Sequence, residues 1–88
     1  MSKIELRRID IENWRFVLYE TSDQRWIGDF IYSPHRFVDL SMLIELTPEE
    51  KQKGQENRDY LIELADDINR NYDNYLDRAL NREHFNTL

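Results

Sequence analysis

The sequence predicts an α+β fold: an antiparallel β-meander of about four strands, followed by one long helix and a short C-terminal helix packed on one face. Three observations lead there. Apolar and polar residues alternate through residue 46. A proline-containing helix start follows at once. From Leu61 onward the apolar residues recur at steps of three and four.

Ile4 and Leu6 alternate with Glu5 and Arg7, then Ile9 and Ile11 resume on the opposite parity. A first strand is therefore expected over about 2–9 that bends or ends there. WRFVLYE, 14–20, reads as the second strand, Thr21 to Gln24 as a polar turn, and RWIGDFIY, 25–32, as the return strand of a hairpin. Gly28 inside that strand marks a bulge or a close backbone approach. Ser33-Pro34-His35 reads as the next turn, because proline has no N–H to give a ladder and forces its predecessor to be extended. Over 37–46, Val38, Leu40, Met42, Ile44 and Leu46 share one face, with Asp39, Ser41 and Glu45 on the other, as in a half-buried strand.

Thr47-Pro48-Glu49-Glu50 then carries three start signals: Thr as N-cap, Pro at the first helical position, and Glu at the third to close a capping box. Leu61, Leu64, Ala65, Ile68, Tyr72, Tyr75, Leu76 and Ala79 form the apolar stripe of the helix. A continuous helix over 48–80 would be about 50 Å long, twice the diameter of so small a domain. A kink or restart is expected near Asn69-Arg70-Asn71, where asparagine competes for backbone hydrogen bonds. Gly54 is expected to weaken the first turns by about 1 kcal/mol relative to Ala. The 88 residues suit a single domain: a sheet over 1–46, helices over 47–80, and a tail, 81–88, that frays.

Twelve Lys and Arg stand against eighteen Asp and Glu, a net charge of −6 with a pI near 4.8, which disfavours direct contact with nucleic acid or anionic lipid. There is no cysteine, so no disulfide or thiol chemistry arises. The first twenty residues lack the apolar run of a signal peptide, and no stretch approaches the roughly 20 apolar residues of a membrane span. A cytoplasmic protein is expected. His35 and His84 lie in different elements without metal-ligand spacing, two glycines cannot build a phosphate loop, and no carboxylate pair is singled out. The sequence points to no catalytic residue, metal or cofactor, and an enzyme is not expected.

Two features stand out as candidate partner-binding surfaces. Glu56, Asp59, Glu63, Asp66, Asp67, Asp73 and Asp77 fall in a segment whose only bases are Arg58 and Arg70. At 100° per residue, Asp59, Glu63, Asp66 and Asp77 gather opposite Leu61 and Ile68. This is either the ordinary polar back of an amphipathic helix or an acidic face that steers a basic protein partner. The hairpin is apolar on both faces, Trp14, Phe16 and Leu18 alternating with Val17 and Tyr19, and Trp26, Phe30 and Tyr32 with Ile27 and Ile31. Either the sheet curls, with the first strand and the tail covering its second face, or Trp14, Tyr19, Trp26 and Tyr32 meet a partner or a second copy.

The order Leu46-Thr47-Pro48-Glu49-Glu50, then Leu61, Leu64, Ala65 and Ile68, an Asn-rich break, and Tyr75 to Arg78 resembles the C-terminal halves of small acidic immunity proteins from bacterial toxin loci. The resemblance implies a binding protein that neutralises a basic, nuclease-like toxin by stoichiometric occlusion, its carboxylates pairing with Lys and Arg while aromatics anchor the contact. A phage-encoded inhibitor of a nucleic-acid-binding protein has the same composition. The alternative is a homodimeric structural or assembly module of a bacterial or phage system, without catalytic activity.

Overall fold

A computed structural model describes residues 3–87 of the chain. The alternating half folds into β1 (Ile4–Glu12), β2 (Phe16–Glu20), β3 (Trp26–His35) and β4 (Val38–Glu45), an antiparallel meander, followed by α1 (Pro48–Glu56) and α2 (Arg58–Arg70). The fold is α+β, but the sheet is mixed and has six strands, which corrects the four-strand expectation. After 3-10 turns at Tyr72–Asn74 and Leu76–Arg78 the chain adds β5 (Ala79–Leu80), antiparallel to β4. After a third, at Arg82–His84, it adds β6 (Phe85–Thr87), parallel to β1. The order is β5-β4-β3-β2-β1-β6. Strands of two and three residues are too short to leave a periodicity, so residues 81–87 read as a fraying tail in the sequence and are a strap in the structure.

That strap bends the whole sheet. Six strands laid flat would separate the outermost axes by roughly 24 Å. The steps from Leu80 to Phe85 reach at most roughly 17 Å when fully extended, and less with a 3-10 turn among them. The sheet therefore curls, bringing its two edges toward each other across one face.

Each face carries its own core. Phe16, Leu18, Phe30, Met42, Ile44 and Leu46 meet Leu61, Ala65 and Ile68 of α2 on the first face. On the second face Leu6, Ile27 and Leu43 are buried with Tyr19 and with Leu80 and Phe85 of the strap. The doubly apolar hairpin is thus covered on both sides over half its length. Gly28 stands opposite Leu18 on β2 and Ile44 on β4. A Cβ there would lie 2.3 Å from the Phe30 ring, so the glycine leaves room for that ring in the core.

The parity switch in β1 is a bulge between Arg8 and Asp10, which carries the strand on to Glu12 instead of ending it at 9. Pro34 likewise lies within β3, where the register to β4 shifts between Tyr32 and His35, so its missing N–H costs the ladder little. The turn falls after it, at Arg36 and Phe37.

Thr47 caps α1 as its sequence implies: its side chain accepts the Glu50 N–H while the Glu50 carboxylate accepts the Thr47 N–H. The helix breaks twice: near 69–71 as expected, where α2 ends at Arg70 and 3-10 turns restart after Asn71, and also at Asn57, where no break was expected. Asn57 is extended, its N–H closes α1 on the Lys53 carbonyl, and its side chain accepts the Asp59 N–H to open α2. Gly54 is the buried residue of α1, with Leu61 Cδ2 2.7 Å from where its Cβ would be, so it permits close approach of the two helices. The expected helix weakness is a packing site.

Arginines tie the layers together. Arg58 bonds Asp10 at 2.9 Å and Glu12 at 2.7 Å; Arg78 bonds Glu50 at 2.6 Å and the Glu45 carbonyl at 3.1 Å; Arg82 grips both Asp29 oxygens, at 2.6 and 3.2 Å. Burial opposes ionisation of Glu50, but the bonds from Arg78 and from the Thr47 N–H outweigh it and hold its pKa below the ordinary 4.5. The Arg58 bonds hold Asp10 below 3.8.

Replacing Gly28 by Ala should cost about 1–3 kcal/mol in urea unfolding through overpacking against Phe30, more than Ala at position 54, where the colliding Leu61 methyl can rotate away and the helix gains propensity. Both carboxylates titrate lower folded than unfolded, so the unfolded chain binds protons first as pH falls. Their contribution is intact above about pH 4.5 and is lost progressively below it. The urea midpoint should drop from about pH 4.5 downward, and Glu50→Gln should lower the neutral-pH midpoint and make that drop shallower.

Candidate partner-binding surface

The two turns at one end of the sheet each expose an aromatic side chain. Trp14, between β1 and β2, is 84% exposed, and Phe37, between β3 and β4, is 97% exposed. Both have left-handed backbones, at φ 67° and 69°, a conformation that costs a bulky residue about 1–2 kcal/mol. The Trp14 turn is braced on either side: the Arg15 N–H donates to the Glu12 carbonyl, and the Arg15 carbonyl accepts the Ile31 N–H, each at 3.0 Å. The Arg36 guanidinium lies 5.8 Å from the Phe37 ring centre.

Below Trp14, the half of the second sheet face that the strap leaves uncovered is a shallow groove of about 470 Å³. Trp14 and Ile31 form its apolar wall, Asp39, Ser41 and Arg82 its polar one, and Leu40 borders it at the strand edge. Ile11, 49% exposed, and Val17 continue the apolar surface beyond Trp14. Arg82 donates to Ser41 Oγ at 2.6 Å while it holds Asp29, so its charge is met within the protein.

Helix α2 runs along this same end. Arg58 reaches Asp10 and Glu12 on β1, Arg15 Nε bonds Asp66 at 3.0 Å, and Asn69 Oδ1 accepts the Ser33 N–H at 3.0 Å. The Arg15–Asp66 pair therefore places the Trp14 turn between the groove and the outer face of the helix.

The seven acidic residues do not form one face. Asp59 and Glu63 are exposed on α2, without an ion pair among the described residues, and Asp66 beside them is paired. Glu56 belongs to α1, where it accepts from Gln52. Asp67 is an internal acceptor: the Tyr75 hydroxyl and Asn71 Nδ2 bond it and lower its pKa, while burial, then this bond, pushes the Tyr75 hydroxyl up to about 12. Asp73 and Asp77 are exposed in the 3-10 turns that follow.

Of the four aromatics singled out by alternation, only Trp14 is exposed. Tyr19 packs in the second core. Trp26 is half-buried with Nε1 bonded to Glu20 at 3.2 Å and Lys51 over its ring. Tyr32 stacks on Tyr72, centroids 5.2 Å apart. Phe37, Ile11 and Ile31 carry no sequence signal as surface residues, since exposure at a turn or on an uncovered half-face depends on where the strap crosses.

His35 and His84 are both exposed, and among the described residues no group of three or more His, Asp or Glu side chains is arranged to hold a metal. No helix among them is long and apolar enough to cross a membrane. Comparison of the chain with protein-family models, with curated proteins and with solved structures gives no match.

Proposed function

We propose that the protein is a protein-binding inhibitor of the immunity type, which occludes a basic, nuclease-like partner stoichiometrically and performs no chemistry itself. The observation that carries this reading is Trp14: a large aromatic side chain, almost wholly in solvent, presented by a strained but braced turn at the rim of an apolar groove. Trp is the residue type on which interface energy most concentrates. Charge supplies the sign of the partner. Asp59 and Glu63 lie on the helix that flanks the Trp14 turn, in a chain of net charge −6. Such a field favours a surface rich in Lys and Arg, as a protein that holds phosphates must have, and speeds its approach.

The product of the adjoining reading frame is the probe of choice, titrated by calorimetry and stopped flow at low and high salt. A one-to-one complex is expected. Trp14→Ala should weaken it about tenfold or more through the rate of dissociation. Asp59→Lys with Glu63→Lys should slow association about tenfold at low salt and flatten its salt dependence, leaving the free energy of unfolding within about 1 kcal/mol of the parent. Association indifferent to salt, together with unchanged affinity in Trp14→Ala, would remove this surface from the function.

A further inference from the structure

Among the described residues, one stretch of strand edge is left open and unguarded. Leu46 donates its N–H to the Trp26 carbonyl on β3, so by alternation the N–H and C=O groups of residues 44, 42 and 40 also face β3, while those of 43, 41 and 39 face outward. Leu43 meets Leu80 of β5, and there β5 stops. Asp39 and Ser41 keep four outward backbone groups with no partner among the described residues. Val38 and Leu40, 40% and 47% exposed, flank them on the helical face, and Leu76 is exposed in the 3-10 turn beside β4.

The opposite edge is guarded. Beyond Leu6, the last residue that β6 pairs among the described residues, β1 is bulged, carries Asp10 and Glu12, and has its Ile11 carbonyl capped by Arg58 Nη2 at 3.2 Å. These are the devices by which sheets block edge pairing. The outer edges of β5 and β6 are only two and three residues long. A single open edge makes a closed pair where two would make a fibre.

We infer that two copies of this chain pair through residues 38–42 of β4, antiparallel about a two-fold axis at Leu40. This interface includes no residue of α2, but Asp39, Leu40 and Ser41 also line the Trp14 groove, so the second copy would border that groove at the strand edge. In that register Leu40 faces Leu40 of the second copy, Val38 faces Met42, and Asp39 exchanges both backbone hydrogen bonds with Ser41, giving four bonds in all. Asp39, the one charged side chain of the segment, meets a hydroxyl rather than its own copy. A heterologous strand has no such match built in. Leu40 forms a non-hydrogen-bonded pair, in which Cα atoms sit about 4.5 Å apart, within disulfide reach.

The chain has no cysteine, so one introduced thiol reports alone. Under mild oxidation Leu40→Cys should form disulfide-linked dimer at least about tenfold faster than Phe37→Cys, whose two copies would stand roughly 20 Å apart in this register. Phe37 is the more exposed position, so random collision predicts the reverse order. Sedimentation equilibrium should show a dimer of the parent that strengthens with salt, as expected for two like-charged chains, and that Leu40→Lys dissociates while its circular dichroism stays unchanged. Equal cross-linking at the two positions, a parent monomeric at millimolar concentration, or a dimer that survives Leu40→Lys would each overturn the inference.

Discussion

Both faces of the central strands are apolar, and 88 residues must cover both; the short strap between β5 and β6 is how the chain does it, and the rest of the architecture follows from its length. Four residues separate the two strands. The sheet can be closed by so short a connection only if it curls, and the curl seals Leu6, Ile27 and Leu43 beneath Leu80 and Phe85. The same shortness leaves the far half of that face open. The groove under Trp14 is the remainder of a covering segment too short to span the whole sheet.

The acidic excess is distributed by the same economy. Arg7, Arg15, Arg25, Arg58, Arg78 and Arg82 hold eight carboxylates; half of these pairs join the sheet or its turns to α2 or the strap, and Arg78 joins a 3-10 turn to α1. Exposed pairs of this kind add little stability one by one. Their effect is on arrangement: they fix where α2 and the strap lie and withdraw most of the arginine charge from the surface field. The carboxylates left over, Asp59 and Glu63 among them, then set the sign that a partner meets.

The meander, the capped start of α1 and the core stripe of α2 were legible because each rests on a local rule: alternation, a capping box, a period of three and four. The bulge in β1 was visible as a change of parity without its consequence, since the pattern cannot say whether a strand stops or continues after a slip. Asn57 gives no sign of a break because it lies in a stretch with no apolar residue, where periodicity has nothing to interrupt. The alternation in β4 left Leu43 unplaced, although it is the residue that joins this strand to the second core. The charge stripe on α2 could be counted, but helical geometry does not reveal that Arg15, 51 positions away in sequence, neutralises Asp66, or that Tyr75 takes Asp67. Long-range pairing and the path of the strap decide those points.

All three meander turns contain a left-handed residue, Trp14, Gln24 or Phe37, and both glycines of the chain are spent elsewhere, in packing. Glycine at each turn would relieve about 1 kcal/mol of strain. The protein therefore has an unused reserve of stability lodged in its loops. Gln24 can be exchanged to draw on it at no cost to an aromatic contact, which makes that turn the natural place to relieve strain in the scaffold. At the other two turns the same exchange would trade an aromatic side chain for relief of strain, so the balance between robustness and recognition in this molecule is set at two residues.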